Sequence, residues 1–485
     1  MRFLIIILLS ISILVGTNQA YSMTKEEAIQ KLKEMEIEVD NNYFLSAVKQ
    51  SNVSLIELFL AAGIDPNSRN RSEGDSVLML MAEKGNNEIV KMLLKSGADV
   101  NATNTYDETA LMRATAYGKY DIVDVLIANG ANVNMINADD ESALILAAKQ
   151  GDSRSIASII NAGADINYSS DLVAPSLWQA ASRDHSDAVA LLLEKKANPS
   201  FKTDSFSPAI IVAVKNKYSA TLSALIKGGA DVNITGTDGE SALTLAAEQG
   251  DIKYIVSLID AGANINYYSG DTVGFPLWQA ASKDYSSAVA VLLAKGVDPN
   301  FKTDSFEPVI LIATNNKYTE TLKALIKGKA DLNIMGKNKN TFPIYIASLA
   351  NDISNLRLLL EAGADPNVVT ATGGETALMQ TAYGNSIDVA TELLNNKADV
   401  NIVDKQGRPA LIIAIESAGD NSYDAVIKLF IEKGTDMAKF GKTALAKAKE
   451  KNLTSIIQIL KNAGVKDDAE VKEQPVVPPV PPAQP

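Results

Sequence analysis

One short phrase returns along this chain at an almost fixed interval: Gly-Ala-Asp-Val-Asn at 97–101, Gly-Ala-Asn-Val-Asn at 130–134, Gly-Ala-Asp-Ile-Asn at 163–167, Gly-Ala-Asp-Val-Asn at 229–233, Gly-Ala-Asn-Ile-Asn at 262–266 and Gly-Ala-Asp-Pro-Asn at 363–367. The period is 33 or 34 residues. An apolar anchor keeps step with it, at Phe44, Leu78, Leu111, Leu144, Leu177, Ile210, Leu243, Leu277, Ile310, Ile344, Leu378, Leu411 and Leu445. Thirteen units follow from these anchors, numbered here in chain order. A period of this size means that no unit can bury its own apolar face, so neighbours must stack into an array that grows in one direction. At 485 residues the chain is also too long for one ordinary core.

Residues 137–169, around the fourth anchor, show the local logic. Asn137 to Asp140 is a turn signal, and Ser142 can cap a short helix whose inner face is Ala143, Leu144, Ala147 and Ala148. Gly151 and Asp152 break that helix, and Ile156, Ile159 and Ile160 then recur at helical spacing. Gly163 stops the second helix, because the residue past a helix C-terminus often takes the left-handed conformation. Helices this short are unstable alone in water. If successive units sit ~8–10 Å apart, thirteen of them span on the order of 100–130 Å.

This pattern resembles the ankyrin repeat, a β-turn plus two helices of this period, over residues 44 to about 466. The family's T-P-L-H helix start is present loosely, as Glu108-Thr109-Ala110-Leu111, Glu141-Ser142-Ala143-Leu144 and Glu375-Thr376-Ala377-Leu378, with no His after the Leu in any unit. The resemblance implies an all-α solenoid of about 13 helix-turn-helix units with β-turn or hairpin tips. It further implies that protein partners are held by those tips and by the exposed side of the first helices, lining a concave face. The positions it marks are Tyr106, Asp107, Glu108 and Tyr117 in repeat three; Asp139, Asp140, Glu141 and Gln150 in repeat four; and Asp238, Glu240 and Gln249 in repeat seven. They also include Asp204, Ser205 and Phe206, the matching Asp304, Ser305 and Phe306, and Trp178 and Trp278 on the first helix turn. The two tryptophans stand where the family commonly has His, so they either touch a partner or fill space between repeats.

The array has expected ends and defects. Residues 23–43 form an N-terminal capping segment, in which Thr24 and Glu27 have capping-box spacing and Ala28, Leu32 and Met35 share a face. The last unit, from Thr443, carries Lys447, Lys449, Glu450 and Lys451, as a terminal repeat needs a soluble outer face. Lysine replaces the terminating glycine at Lys196, Lys329 and Lys397, at about 1 kcal/mol each if the left-handed conformation is kept. Repeat twelve has four extra residues around Ala418 to Asn421, predicting a bulged loop between its helices. Residues 141–240 and 240–340 are a duplicated three-repeat block, sharing Leu-Trp-Gln-Ala-Ala-Ser at 177–182 and 277–282 and Phe-Lys-Thr-Asp-Ser-Phe at 201–206 and 301–306. A recent duplication explains the block; two equivalent contact sites would be the functional alternative. The chain ends in a proline-rich stretch, 467–485, expected to be an extended disordered tail.

Before the repeats, Met1 and Arg2 precede an almost unbroken apolar run from Phe3 to Val15, followed by Gly16, Thr17, Ala20 and Ser22. That is the form of a secretory signal peptide, residues 1–22, cleaved after Ala20 or Ser22 or retained as a membrane anchor. Export to the periplasm or the medium is therefore expected. The chain has no cysteine, so disulfides, thiol catalysis and thiolate metal sites are excluded. A formal net charge of -13 disfavours nucleic acid as a partner and points to a protein with a basic or mixed surface.

Catalysis has poor candidates. His185, the single histidine, opens the second helix of repeat five, and Tyr285 holds the same place in the duplicate, which marks a structural slot. Asp and Glu recur with the repeat as turn and cap residues, and no GxxxxGK[ST] phosphate loop is present. The expected function is a non-catalytic scaffold for protein–protein interaction, monomeric and without a cofactor. Its alternatives are a secreted effector that binds a host protein, or an inhibitor or protector of a partner enzyme.

Overall fold

The computed structural model describes residues 23–268 and 274–466. The expected signal peptide 1–22 and tail 467–485 lie outside the described residues. The chain divides into two units, Met1–Asp238, holding repeats one to six, and Gly239–Pro485, holding repeats seven to thirteen. Within each, the hairpins stack in chain order: in the first unit, the first helix of repeat four packs against those of repeats three and five, and its second helix against theirs. This is the expected all-α solenoid of helical hairpins.

Repeat four realises the sequence logic residue by residue. Its first helix is Ala143–Gln150, with the Ser142 hydroxyl accepting from the Ile145 N–H, and Gly151 ends it at φ 70°. Its second helix is Ser153–Asn161, capped by the Asp152 carboxylate, and Gly163 follows at φ 92°. Leu144, Ala147, Ala148, Ile156 and Ile159 are all fully buried. Each large aliphatic side chain so buried contributes about 1.5–3 kcal/mol relative to exposure, and the alanines let the helices approach. The N-terminal helix Lys25–Glu34 has the complete capping box of Thr24 and Glu27, and it packs on Val53–Ala61, the second helix of repeat one. It thus lies in the row of second helices, covering their exposed end with Ala28 and Leu32.

The recurrent phrase has a purpose beyond its glycine. The Asn101 carbonyl accepts from the Asn132 N–H at 2.7 Å while its amide donates to the Gly130 carbonyl at 3.3 Å. Asn134 repeats both bonds to Asp165 and Gly163. In the second unit Asn367 makes them to Asp399 and Lys397, and Asn401 to Asp436 and Gly434. A carboxamide carries its donor and its acceptor on two separate atoms, so asparagine can bridge one second-helix terminus to the next. Ser200 stands where this asparagine belongs in repeat five and has no amide to do so.

Some expectations need correction. The tips are turns, not extended hairpins: among the described residues the β-pairing is confined to isolated bridge residues, as in Arg69 to Ser76 and Ile136 to Ser142. The last repeat does not begin at Thr443. Its first helix runs from Met437 to Glu450, because Asp436 caps it early and Phe440, Ala444, Leu445 and Ala448 form one continuous buried face. The insertion in repeat twelve does form a loop between helices, with a single 3₁₀ turn at Asn421–Tyr423. It is tied back to repeat eleven, where the Tyr423 hydroxyl donates to the Tyr383 carbonyl and the Asn385 amide to that of Ser422.

Lys196, Lys329 and Lys397 do hold left-handed backbones, at φ 72°, 63° and 72°. Replacing each with glycine is expected to raise stability by about 0.5–1 kcal/mol, and additively for Lys329 and Lys397, which lie two repeats apart in the second unit. Urea unfolding of the single and combined variants checks this. A smaller gain is expected at Glu57, whose carboxyl is raised above its usual range by burial and then by Glu88. A raised carboxyl disfavours the folded charged form, so Glu57→Gln should stabilise by ~0.5 kcal/mol at pH 7. The gain should fade as the pH falls through the folded pKa toward the unfolded one, as pH-dependent melting would record.

Candidate functional site

The exposed tips are presented on a rigid backbone. In the first unit the Thr105 N–H donates to the Glu73 carbonyl at 3.0 Å and the Ala138 N–H to that of Tyr106 at 2.9 Å, joining the tips of repeats two, three and four. In the second unit, Ala371 to Lys339 and Lys405 to Gly373 join the tips of repeats ten, eleven and twelve in the same way, both at 2.9 Å. Tyr106 is 53% exposed and Tyr117 51%. Asp107, Asp139, Gln150, Asp204, Ser205, Asp238 and Asp304 are exposed with them, and Asp140 and Ser305 are half-buried. Asp107 and Asp140 sit at φ 57° and 60°, the left-handed turn position that an aspartate tolerates better than most residues.

Other predicted contact residues are not free surface. Glu141 and Glu240 are buried, at 9% and 7% exposure, and Glu141 is paired with Lys149. Their neighbours cover these two glutamates, which removes them from the partner-facing set. Glu108 is held by Arg113 at 2.8 Å, and Gln249 is half-buried. Phe206 and Phe306 are half-buried and pack edge-on or tilted against Trp178 at 5.2 Å and Trp278 at 4.7 Å. The Trp178 indole N–H donates to the Ser207 carbonyl at 2.8 Å. Each tryptophan therefore fills the joint between two repeats.

His185 has its structural explanation. Its ring covers Gly151 of the preceding repeat, where a Cβ would lie 2.6 Å from Cγ, and its Nε2–H donates to the Lys149 carbonyl at 3.0 Å. Tyr285 covers Gly250 in the same way. Among the described residues no group of three or more His, Cys, Asp or Glu could hold a metal, and no helix is long and apolar enough to cross a membrane.

Sequence reading missed the charged chains that run along the first helices. Arg113, two residues after its anchor, reaches Glu108 at 2.8 Å, Glu83 at 3.1 Å, Asp75 at 3.3 Å and Glu73 at 3.5 Å. Burial alone would lower its pKa, but Glu108, Asp75 and Glu83 raise it, so the guanidinium stays charged. In the second unit the Tyr345 and Tyr383 hydroxyls donate to Glu375 at 3.1 and 3.3 Å. Arg408 donates to Tyr383 at 3.2 Å, to Asp404 at 2.8 Å and to Glu416 at 2.9 Å. Burial, then the Glu375 charge, pushes the Tyr345 phenol well above its usual range, so it remains a donor. The partners of Arg113 lie both within its own repeat, at Glu108, and one repeat earlier, at Glu83, so no single spacing in the sequence marks the cluster.

Comparison with known proteins agrees with this geometry. The family profile described as ankyrin repeats (3 copies) matches residues 44–137, 117–203, 177–269, 210–303, 277–370 and 346–438. The ankyrin repeat protein YahD of Escherichia coli (strain K12) is 31% identical over 191 residues, 38% of this chain and 94% of YahD. The human transient receptor potential cation channel subfamily A member 1 is 33% identical over 92 residues, 19% of this chain but only 8% of the channel. The human ASB11 ankyrin repeat domain aligns in structure with a TM-score of 0.41 and 25% identity, covering 46% of this chain and all of that domain. Such repeats generally mediate protein–protein interaction and are generally non-catalytic. With overlapping matches running from residue 44 to 438 and helical hairpins stacked at the same period, the chain belongs to the ankyrin-repeat family.

Proposed function

We propose that this protein is an exported, non-catalytic scaffold that binds a protein with a basic or mixed surface through its tips and first helices. The observation that carries the reading is the row of tips in repeats two to four, locked backbone to backbone with Tyr106, Asp107 and Asp139 exposed on it. Rigid aromatic side chains among carboxylates lose little entropy on binding and suit a hot spot with a polar rim. The apolar run before the repeats supports export.

A photo-crosslinking side chain placed at Tyr106 in the producing cell tests both parts. A saturable protein adduct is expected there and not at exposed Glu88, on the second helix of repeat two. The combined variant Tyr106→Ser, Asp107→Ser, Asp139→Ser should weaken binding of the adduct's protein by at least about tenfold. Equal labelling at both sites would reject the face. Recovery of the chain only in the cytosol, still beginning at Met1, would reject export.

A further inference from the structure

We infer that a groove between the first helices of repeats nine and ten is a receptor for one arginine side chain of a partner protein. The inference rests on the first-helix face being the binding face. The groove, about 240 Å³, has Glu307, Asn315 and Thr341 on its walls and Leu311, Ile312 and Ile346 as its apolar surface. Leu311 and Ile346 are buried, whereas the Asn315 side chain is exposed at the mouth.

The first unit shows what such a groove takes. Counted from the anchors, Glu307 corresponds to Asp75, Asn315 to Glu83, Thr341 to Glu108 and Ile346 to Arg113. At repeats two and three the Arg113 guanidinium sits among those three carboxylates, at 3.3, 3.1 and 2.8 Å. At repeats nine and ten isoleucine replaces the arginine, two of the three carboxylates become neutral, and a space remains beside the third. Glu307 keeps its charge there. Its Oε2 accepts the Lys337 backbone N–H at 3.1 Å, and among the described residues no side chain pairs with it. The Lys337 ammonium is directed elsewhere, donating to the Ser305 carbonyl at 2.8 Å. Glu108, Glu141 and Glu375, at the same position, have the side-chain partners Arg113, Lys149 and Tyr345, whereas Glu240 is unpaired like Glu307 but is buried.

The groove also has the right chemistry for the whole side chain. An aliphatic stem can lie along Leu311, Ile312 and Ile346, while the planar guanidinium pairs with the Glu307 carboxylate and donates to the Asn315 side-chain oxygen. Guanidinium is favoured over ammonium because it is more weakly hydrated and presents a fork of donors. Gly336, next to the groove, keeps it open, since a Cβ there would meet Thr341 Oγ1 and Glu307 Oε2.

The test uses the full chain with labelled isoleucine and leucine methyl groups, titrated with capped Gly-Arg-Gly and with the same tripeptide bearing lysine or neutral citrulline. Saturable shifts are expected at Ile312 and Ile346 for arginine, with affinity at least about fivefold above citrulline and above lysine. Glu307→Gln should weaken arginine about tenfold. Asn315→Asp, which restores the charge that Glu83 supplies, should tighten it about threefold. Ile346→Arg should fill the groove from within and abolish the response; should that variant misfold, the Glu307 and Asn315 variants carry the result. No saturable shift at those methyls, or equal affinity for arginine and citrulline or lysine, overturns the site. A partner crosslinked at Tyr106 whose affinity is indifferent to both Glu307→Gln and Ile346→Arg would leave the scaffold reading standing and remove this one.

Discussion

Replacing Arg113 with leucine is expected to remove about 2–3 kcal/mol from the stability of the first unit. Arg113 is 14% exposed and Asp75 5%, so this contact is screened far less than a surface pair. Glu73, 47% exposed, should contribute nothing measurable, and Glu83, 32% exposed, little. The loss therefore concentrates at Asp75 and Glu108, which keep only neutral donors: the Asn104 amide lies 2.8 Å from Asp75 and 2.9 Å from Glu108. A carboxylate left buried without its cation costs more than the pair was worth, because its desolvation is no longer offset. Adding Asp75→Asn to Arg113→Leu should consequently recover roughly half of the loss. Each unit contains one tryptophan, so Trp178 fluorescence in a Trp278→Phe background reports urea unfolding of the first unit alone. A loss below about 0.5 kcal/mol would place Arg113 among ordinary surface ion pairs.

What was legible in the sequence, and what was not, follows from the range of each interaction. The hairpins were legible because their determinants are local: Ser142 caps within three residues, Gly151 and Gly163 end helices at their own positions, and Leu144 repeats every period. The direction of Glu141 was not, since a residue three before the anchor can face solvent or core depending on whether Lys149 turns back to meet it. The Asn134 bridge and the Arg113 cluster join residues about one period apart, as do Asn134 to Asp165 and Arg113 to Glu83. Such pairs have no local signature until the stacking register is fixed. The early start of the first helix of repeat thirteen, at Met437, was missed for a related reason. The 33-residue frame predicts a turn before Thr443, but Asp436 caps the helix earlier and Phe440 extends its buried face.

Replacing Leu378 with alanine is expected to cost about 3 kcal/mol, and the place where that cost appears matters as much as its size. Leu378 is 1% exposed in the first helix of repeat eleven, Ala377–Gly384, which packs against the first helices of repeats ten and twelve and against its own second helix. A leucine removed from a helix packed against three others leaves a cavity that they cannot readily close, because each is also held by further packing. In an array stabilised by nearest-neighbour interfaces, the lost free energy should lower hydrogen-exchange protection in repeats ten to twelve. Repeat seven, three interfaces away from repeat ten, should keep its protection. Hydrogen exchange of the variant and the parent chain, resolved by peptide across 239–466, measures both. A uniform fall in protection over all of these residues would mean that the second unit opens as a single cooperative block, and the description by neighbouring interfaces would have to be given up.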